Sequence, residues 1–356
     1  MRQFPFLSDP RPSRSIAKLP EGKTNVRQPI FRSVLFTLLA AAALLGILTA
    51  TSSRLSAGSV TTNVIGMFPR STSEFAFADL KAARKLTWFS QIQDQMLPQN
   101  MRQFEQFLAS AGVDPNTQVD SLAWGTILTA GGETGDILGV AIGGFDPAGT
   151  EAKFKAQKIP MIENNGYHLY AFGSGGGAGD ILFFFLDSNT AAFGNRSALE
   201  KMIDVRMGKT ESLLSNDKIF PLINEANGSG LIWAVLDKTS TSMAMHQLVP
   251  QASQFPQAAA VMGRIHAMII SVNADSGIDV QFQAACDSVD DANMLGAAMQ
   301  AGVMYRRYQE AQSNPDFARA LDHVRVTPTG DRLKIDAPVS QDELMSLIRT
   351  KALAPS

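Results

Sequence analysis

The chain is poor in the residues that usually announce chemistry. Among 356 residues there is one cysteine, Cys286, and there are four histidines, His168, His246, His266 and His323. A lone cysteine excludes an internal disulfide and a zinc site built on several thiolates. Cys286 ends an apolar strand-like run with no histidine beside it, which reads as a small buried hydrophobe. No histidine stands three to five positions from another and HExxH does not occur, so no metal is expected. Serine-nucleophile signatures are missing as well: there is no GxSxG, and no SxxK accompanied by the other elements of its class. No catalytic, cofactor-binding or metal-binding residue is assigned, and no cofactor is expected.

The segments that imitate sites have plainer readings. Gly173 to Gly179, GSGGGAG, leads into the strand-like ILFFFL rather than a helix, and it lacks the Lys-Ser/Thr of a P-loop. It reads as a turn between strands. Asp290-Asp291 and Asp342-Glu343 fall in the first turns of expected helices, where the helix dipole accounts for acids. Arg306-Arg307, flanked by Tyr305 and Tyr308, reads as a solvated helix face, and nucleic acid is not an expected partner.

What the chain does have is an apolar run. Ser33 to Thr51 contains no charge and no proline. At 1.5 Å rise per residue, about 20 such residues match a hydrocarbon core of roughly 30 Å, and a helix satisfies its own backbone there. Seven basic residues (Arg2 to Arg32) and two acids (Asp9, Glu21) precede it, a local balance of plus five. The whole chain is minus two, which leaves minus seven for the rest. A basic flank stays cytoplasmic. The expectation is a single-pass inner-membrane protein with its N-terminus in the cytoplasm, its body extracytoplasmic, and the lipid bilayer as a partner through Ser33 to Thr51. The competing reading is a cleavable signal peptide, with Leu55-Ser56-Ala57 before Gly58 as a small-residue cleavage site.

Organisation follows from pattern. Residues 1–30 read as a disordered basic cytoplasmic tail, 31–52 as the transmembrane helix and 53–67 as a linker. The expected fold class is α+β, with two tandem similar halves of antiparallel sheets and helices, 68–227 and 228–356. The first half has the strand Glu74 to Leu80, a helix within Phe89 to Ala111, and a hairpin of Ser121 to Ala130 with Ile137 to Phe145. Asp146-Pro147 then starts a helix to Ala156. Strands at Tyr167 to Phe172, Ile181 to Leu186 and Thr190 to Phe193 follow, then a helix from Ser197 to Met207. The second half repeats the order: Leu231 to Leu236, a helix within Ser242 to Met262, and the hairpin Ile265 to Asn273 with Ile278 to Ala285. Asp287 is expected to cap the helix from Asp290 to Tyr308, ahead of strands Val324 to Thr327 and Arg332 to Ile335. Ser340 with Glu343 makes a capping box for a last helix. Ile181 to Leu186 reads as a strand buried on both faces, and the amphipathic stretch from Trp88 to Leu108 offers a face for a protein partner.

Phe68-Pro69, Gly144-Phe145-Asp146-Pro147, Gly194-Asn195 ahead of Leu199, and Ser212-Leu213-Leu214 with Asn216 and Phe220 form a further pattern. Over residues 65 to 240 it resembles an uncharacterised family of bacterial membrane-anchored or exported proteins, a domain of unknown function. The resemblance implies a bacterial envelope setting and supplies no activity. The expected function is a binding or scaffolding module of the cell envelope, with a protein partner. The alternative is an envelope hydrolase whose site is assembled from scattered residues.

Overall fold

The alternating stretch that begins at Glu74 becomes the middle of a large sheet. The computed structural model describes residues 58–86, 99–128, 135–172, 177, 180–248, 262–274, 277–343 and 346. Twelve strands form one sheet: β1 (Thr72–Asp79), β2 (Val119–Leu128), β3 (Gly135–Gly143), β4 (Met161–Asn164), β5 (Tyr167–Phe172), β6 (Ile181–Phe185), β7 (Thr190–Asn195), β8 (Ile232–Leu236), β9 (Ile265–Asn273), β10 (Gly277–Cys286), β11 (Arg325–Thr329) and β12 (Arg332–Ser340). Their order is β11-β12-β10-β9-β8-β1-β2-β3-β7-β6-β5-β4. Every neighbouring pair is antiparallel. The protein is α+β, built on one extended antiparallel sheet.

Side chains leave a strand alternately to its two faces, so each strand contributes to two cores. Phe75 and Phe77 of β1 join Trp233 and Val235 of β8 on one face. That face is covered by the helical turn α1 (Thr62–Ile65), by α6 (Arg196–Arg206) and by α7 (Phe220–Ala226), whose buried residues lie in the same cluster. Ala76 and Ala78 look to the other face with Ala234, Leu236 and Ile270. The helical turn α2 (Leu80–Ala83), α8 (Lys238–Leu248) and the long α9 (Val289–Ser313) cover that side. Further along the same side, α3 (Gln99–Ser110) and α5 (Pro147–Ala156) pack on an aromatic cluster. The helical turn α4 (Pro115–Gln118) leads into β2, and α10 (Pro315–Asp322) follows α9.

Most expected elements are present, with shifts at their ends. Phe183 and Phe185 face one core and Leu182 and Phe184 the other, so the ILFFFL strand is buried on both sides. Within Phe89 to Ala111 the described helix is Gln99–Ser110, and residues 87–98 lie outside the described part. Its apolar face turns inward instead of out to a partner. Phe104 meets Phe172 edge-on and Phe193 at a tilt, with ring centroids 5.6 and 5.8 Å away, and Phe107 stacks on Phe154 at 5.3 Å. The Gly-rich segment joins β5 to its antiparallel neighbour β6, as a strand-to-strand turn does. β4 was not foreseen, and β12 runs on to Ser340. Residues 58–67, within the stretch read as a linker, include Val60, Val64 and Ile65, all buried in the body. Asn227 holds them by accepting from Val60 N at 2.9 Å. The expected transmembrane helix, Ser33 to Thr51, lies outside the described residues.

One cap differs from expectation. Asp146 caps α5, accepting from Gly149 N at 3.0 Å. In α9 the cap is Ser288 and not Asp287. Ser288 Oγ accepts from Asp291 N at 3.1 Å and donates to Asp291 Oδ2 at 2.6 Å. Asp287, one residue further out, lies 3.4 Å from His266 Nδ1. Ser288→Ala is therefore expected to cost about 1 kcal/mol in a chemical-denaturation series, and Asp287→Ala less than about 0.5 kcal/mol. Equal losses from the two variants would contradict this assignment.

The Ser340–Glu343 capping box forms as expected. Glu343 accepts from Ser340 N at 2.9 Å, and Ser340 Oγ lies 3.5 Å from Glu343 N.

Candidate functional site

The residues singled out for chemistry stay apart. His168 on β5 pairs with Glu151, His266 on β9 with Asp287, and His323 after α10 with Glu343. Each is a surface contact of 3.3 to 3.4 Å with one carboxylate. The described part of the chain contains no group of three metal-ligating side chains. Cys286 is buried, and desolvation, followed by Asp291, Asp287 and Asp331, pushes its thiol above the usual range. A thiol held protonated is a poor nucleophile.

A buried polar cluster lies where β8, β1 and β2 meet. Glu74 is opposite Thr126 on β2 and Leu236 on β8, and its side chain is 5% exposed. Thr126 Oγ1 donates to Glu74 Oε2 at 3.1 Å, while Oε1 has no hydrogen-bond partner among the described residues. Asp237, the residue after β8, accepts from Ser240 N at 2.9 Å and donates its own N–H to the Ser73 carbonyl at 2.9 Å. Ser240 Oγ donates to Ser73 Oγ at 3.0 Å, and Ser73 Oγ donates to the Thr126 carbonyl at 3.2 Å.

Burial first, then the negative charge of Asp237, pushes the Glu74 carboxyl up to about 7. Burial also raises Asp237, against opposing hydrogen bonds from Ser240 and Thr239. The cluster can take up a proton near neutral pH. Ser73 and Ser240 donate to neutral acceptors, and Thr126, the hydroxyl that does donate to a carboxylate, is 1% exposed. Sequence reasoning missed it because Glu74 reads as the polar start of an alternating strand. The available signal was its parity, since Glu74 shares a face with Ala76 and Ala78 and not with the phenylalanines.

The second candidate is a surface. Helix α9 is about 37 Å long at 1.5 Å per residue; its buried residues lie in its N-terminal half, and α10 packs back along its C-terminal half, where Arg307 pairs with Asp322. Asp291, Ala292, Leu295 and Gly296 are buried, and Asp291 is held by Arg264. Beyond them the helix leaves the sheet, and Met304, Tyr305 and Tyr308 are 67%, 64% and 81% exposed. Isolated exposed apolar residues are ordinary, but three within five positions of one helix form a patch. The arginines between them are committed to neighbours: Arg306 pairs with Glu310 at 2.7 Å, and Arg307 with Asp322 of α10. This is the doublet the sequence marked, and its acids make it a poor phosphate clamp.

No family model matches the chain, and no curated protein matches it. Among solved structures it is similar to crystal form I of TP0453, at 10% identity and a TM-score of 0.46, covering 82% of this chain and 98% of that one. Crystal forms III and IV of TP0453 align at 10% identity with a TM-score of 0.45 each, over 81% and 80% of this chain and 97% and 95% of theirs.

Proposed function

We propose that this protein is a single-pass envelope protein, anchored through Ser33 to Thr51, whose extracytoplasmic body is a binding module. The outer face of α9 around Met304, Tyr305 and Tyr308 is its contact surface. The observation that carries the reading is this patch, held by a helix whose other end is pinned into the sheet. Large amphipathic side chains on a rigid element are the typical anchors of protein interfaces. The anchor rests on the length of the apolar run and its basic flank. Among the described residues no helix is long and apolar enough to cross a membrane, and the run lies outside them.

The body is proposed to be two tandem halves. Strand order supports this: β1-β2-β3-β7-β6 on one side of the β1–β8 junction mirrors β8-β9-β10-β12-β11 on the other. β1 and β8 pair antiparallel, with Ala76 opposite Ala234 at the centre. That pairing generates a local two-fold axis. An aspartate closes β1 and another directly follows β8, and each accepts a hydrogen bond from the third residue beyond it, Asp79 from Ala82 N and Asp237 from Ser240 N. Each hairpin that follows feeds a capped helix, α5 or α9. The two differ in length, 10 residues against 25. The additional length in α9 is the part that carries the exposed aromatics.

Two measurements test the reading. A C-terminal reporter that is active only outside the cytoplasm should be active in the full-length chain; an inactive, well-expressed fusion would overturn the topology. Envelope components captured with the wild-type protein from solubilised membranes should be lost from a Met304→Glu, Tyr308→Glu variant. Their retention would remove α9 from the account.

A further inference from the structure

The outer face of α9 has a repeat that its inner face does not explain. Met294, Ala297, Ala301, Met304, Tyr308 and Ala311 are all exposed and recur at alternating steps of three and four. That is the a/d spacing of a helix–helix seam. At about 100° per residue these six cluster on the side opposite Ala292, Leu295 and Met299, which pack toward the sheet. Among the described residues the seam therefore lies free of the body along about 26 Å, from Met294 to Ala311.

We propose that a second copy of this chain occupies the seam, with the two α9 helices antiparallel about Ala301. This rests on the reading of the α9 face as a contact surface, and it names the partner. Size complementarity selects this partner. Bulk is concentrated toward the C-terminal end of the seam (Met304, Tyr305, Tyr308), and small residues toward its middle (Ala297, Ala298, Ala301).

In an antiparallel pair centred on Ala301, Met304 of one helix meets Ala298 of the other and Tyr305 meets Ala297. Tyr308 meets Met294, and Ala301 meets its own equivalent. Each large residue then enters a space left by a smaller or more flexible one. A parallel pair would stack tyrosine on tyrosine and leave the alanines facing each other across a gap, which forfeits packing. The antiparallel arrangement also opposes the helix dipoles favourably and is closed and two-fold, so it ends at a dimer. Two helices over this length bury on the order of 1,000 Å², at the small end for a specific interface, so the dimer is weak and reversible.

Cross-linking of the full-length protein in its own membranes tests this, in a Cys286→Ala background with a short bis-maleimide. Ala301→Cys should give a dimer. Met294→Cys and Tyr308→Cys on separately tagged copies should give a mixed dimer. Tyr308→Cys alone should give at least tenfold less, because the two Tyr308 positions lie about 21 Å apart along an antiparallel pair. Thermal melts of each variant establish that it is folded.

Absence of a dimer from folded Ala301→Cys overturns the proposal. So does cross-linking of Tyr308→Cys as efficient as that of Ala301→Cys, which is the parallel outcome. If self-cross-links are absent while a photoreactive group at position 308 still yields adducts with another component, the dimer is wrong and the contact surface stands. If adducts of every kind are absent, both fail.

Discussion

Between pH 5 and pH 8 the folded chain is expected to lose about 2.5 kcal/mol of stability, and Glu74→Gln is expected to abolish most of that loss. The cause is a carboxyl buried in the sheet whose folded value lies near 7 against an ordinary 4.5. A raised carboxyl binds its proton more tightly folded than unfolded. Its favourable contribution is complete below the unfolded value and disappears as the pH rises through the folded one. Asp237 is shifted in the same direction, by burial. Asp291 is shifted the other way by Ser288 and Arg264. Its contribution is lost only as the pH falls below about 4, outside this window. Urea midpoints at the two pH values, for wild type and Glu74→Gln, check the claim. A wild-type midpoint that does not fall between pH 5 and 8 would mean that Glu74 is more hydrated than its burial implies.

Trp233→Ala is expected to cost about 3 to 5 kcal/mol, and Trp233→Phe only about 1 kcal/mol. Trp233 is fully buried on β8 and lies 5.8 Å from both Phe75 and Phe77 of β1, stacked on the latter. It locks together the two strands on which the continuity of the sheet depends. Removing the ring leaves a large cavity that neighbouring strands cannot close, since they are held in a hydrogen-bonded ladder. Phenylalanine keeps most of the contact. It also removes an indole N–H that has no hydrogen-bond partner among the described residues, which offsets part of the lost area. Denaturation curves for the two variants distinguish packing from polarity. A Phe variant as damaged as the Ala variant would mean that the indole nitrogen makes a stabilising hydrogen bond.

Local rules made much of the sheet legible. The β2–β3 and β9–β10 hairpins follow from alternation broken by Gly-rich or Asp-Ser-Gly turns, and Asp146 before Pro147 marks a helix start by its chemistry alone. ILFFFL is a central strand because nothing polar interrupts it. Ser288 was harder to find because it competes with an adjacent Asp287, and only the approach of Asp291 and Arg264 decides which caps. The polar cluster was hidden for a different reason. Whether Glu74 is solvated depends on β8 arriving from more than 150 residues away, and no local pattern encodes that pairing. The face of α9 was half visible: Arg306-Arg307 and their tyrosines stood out, but exposure on a helix that outruns its sheet is a tertiary property.

The contact surface on α9 is the central claim, and photo-cross-linking in native membranes tests it most directly. A photoreactive amino acid would replace Tyr308 in one strain and Met207 in another. Met207 is also an exposed apolar residue, at 51%, but it lies just past α6 on the opposite side of the sheet. The account predicts discrete adducts from position 308 and none above background from position 207. Equal yields from both positions, or none from position 308, would contradict it.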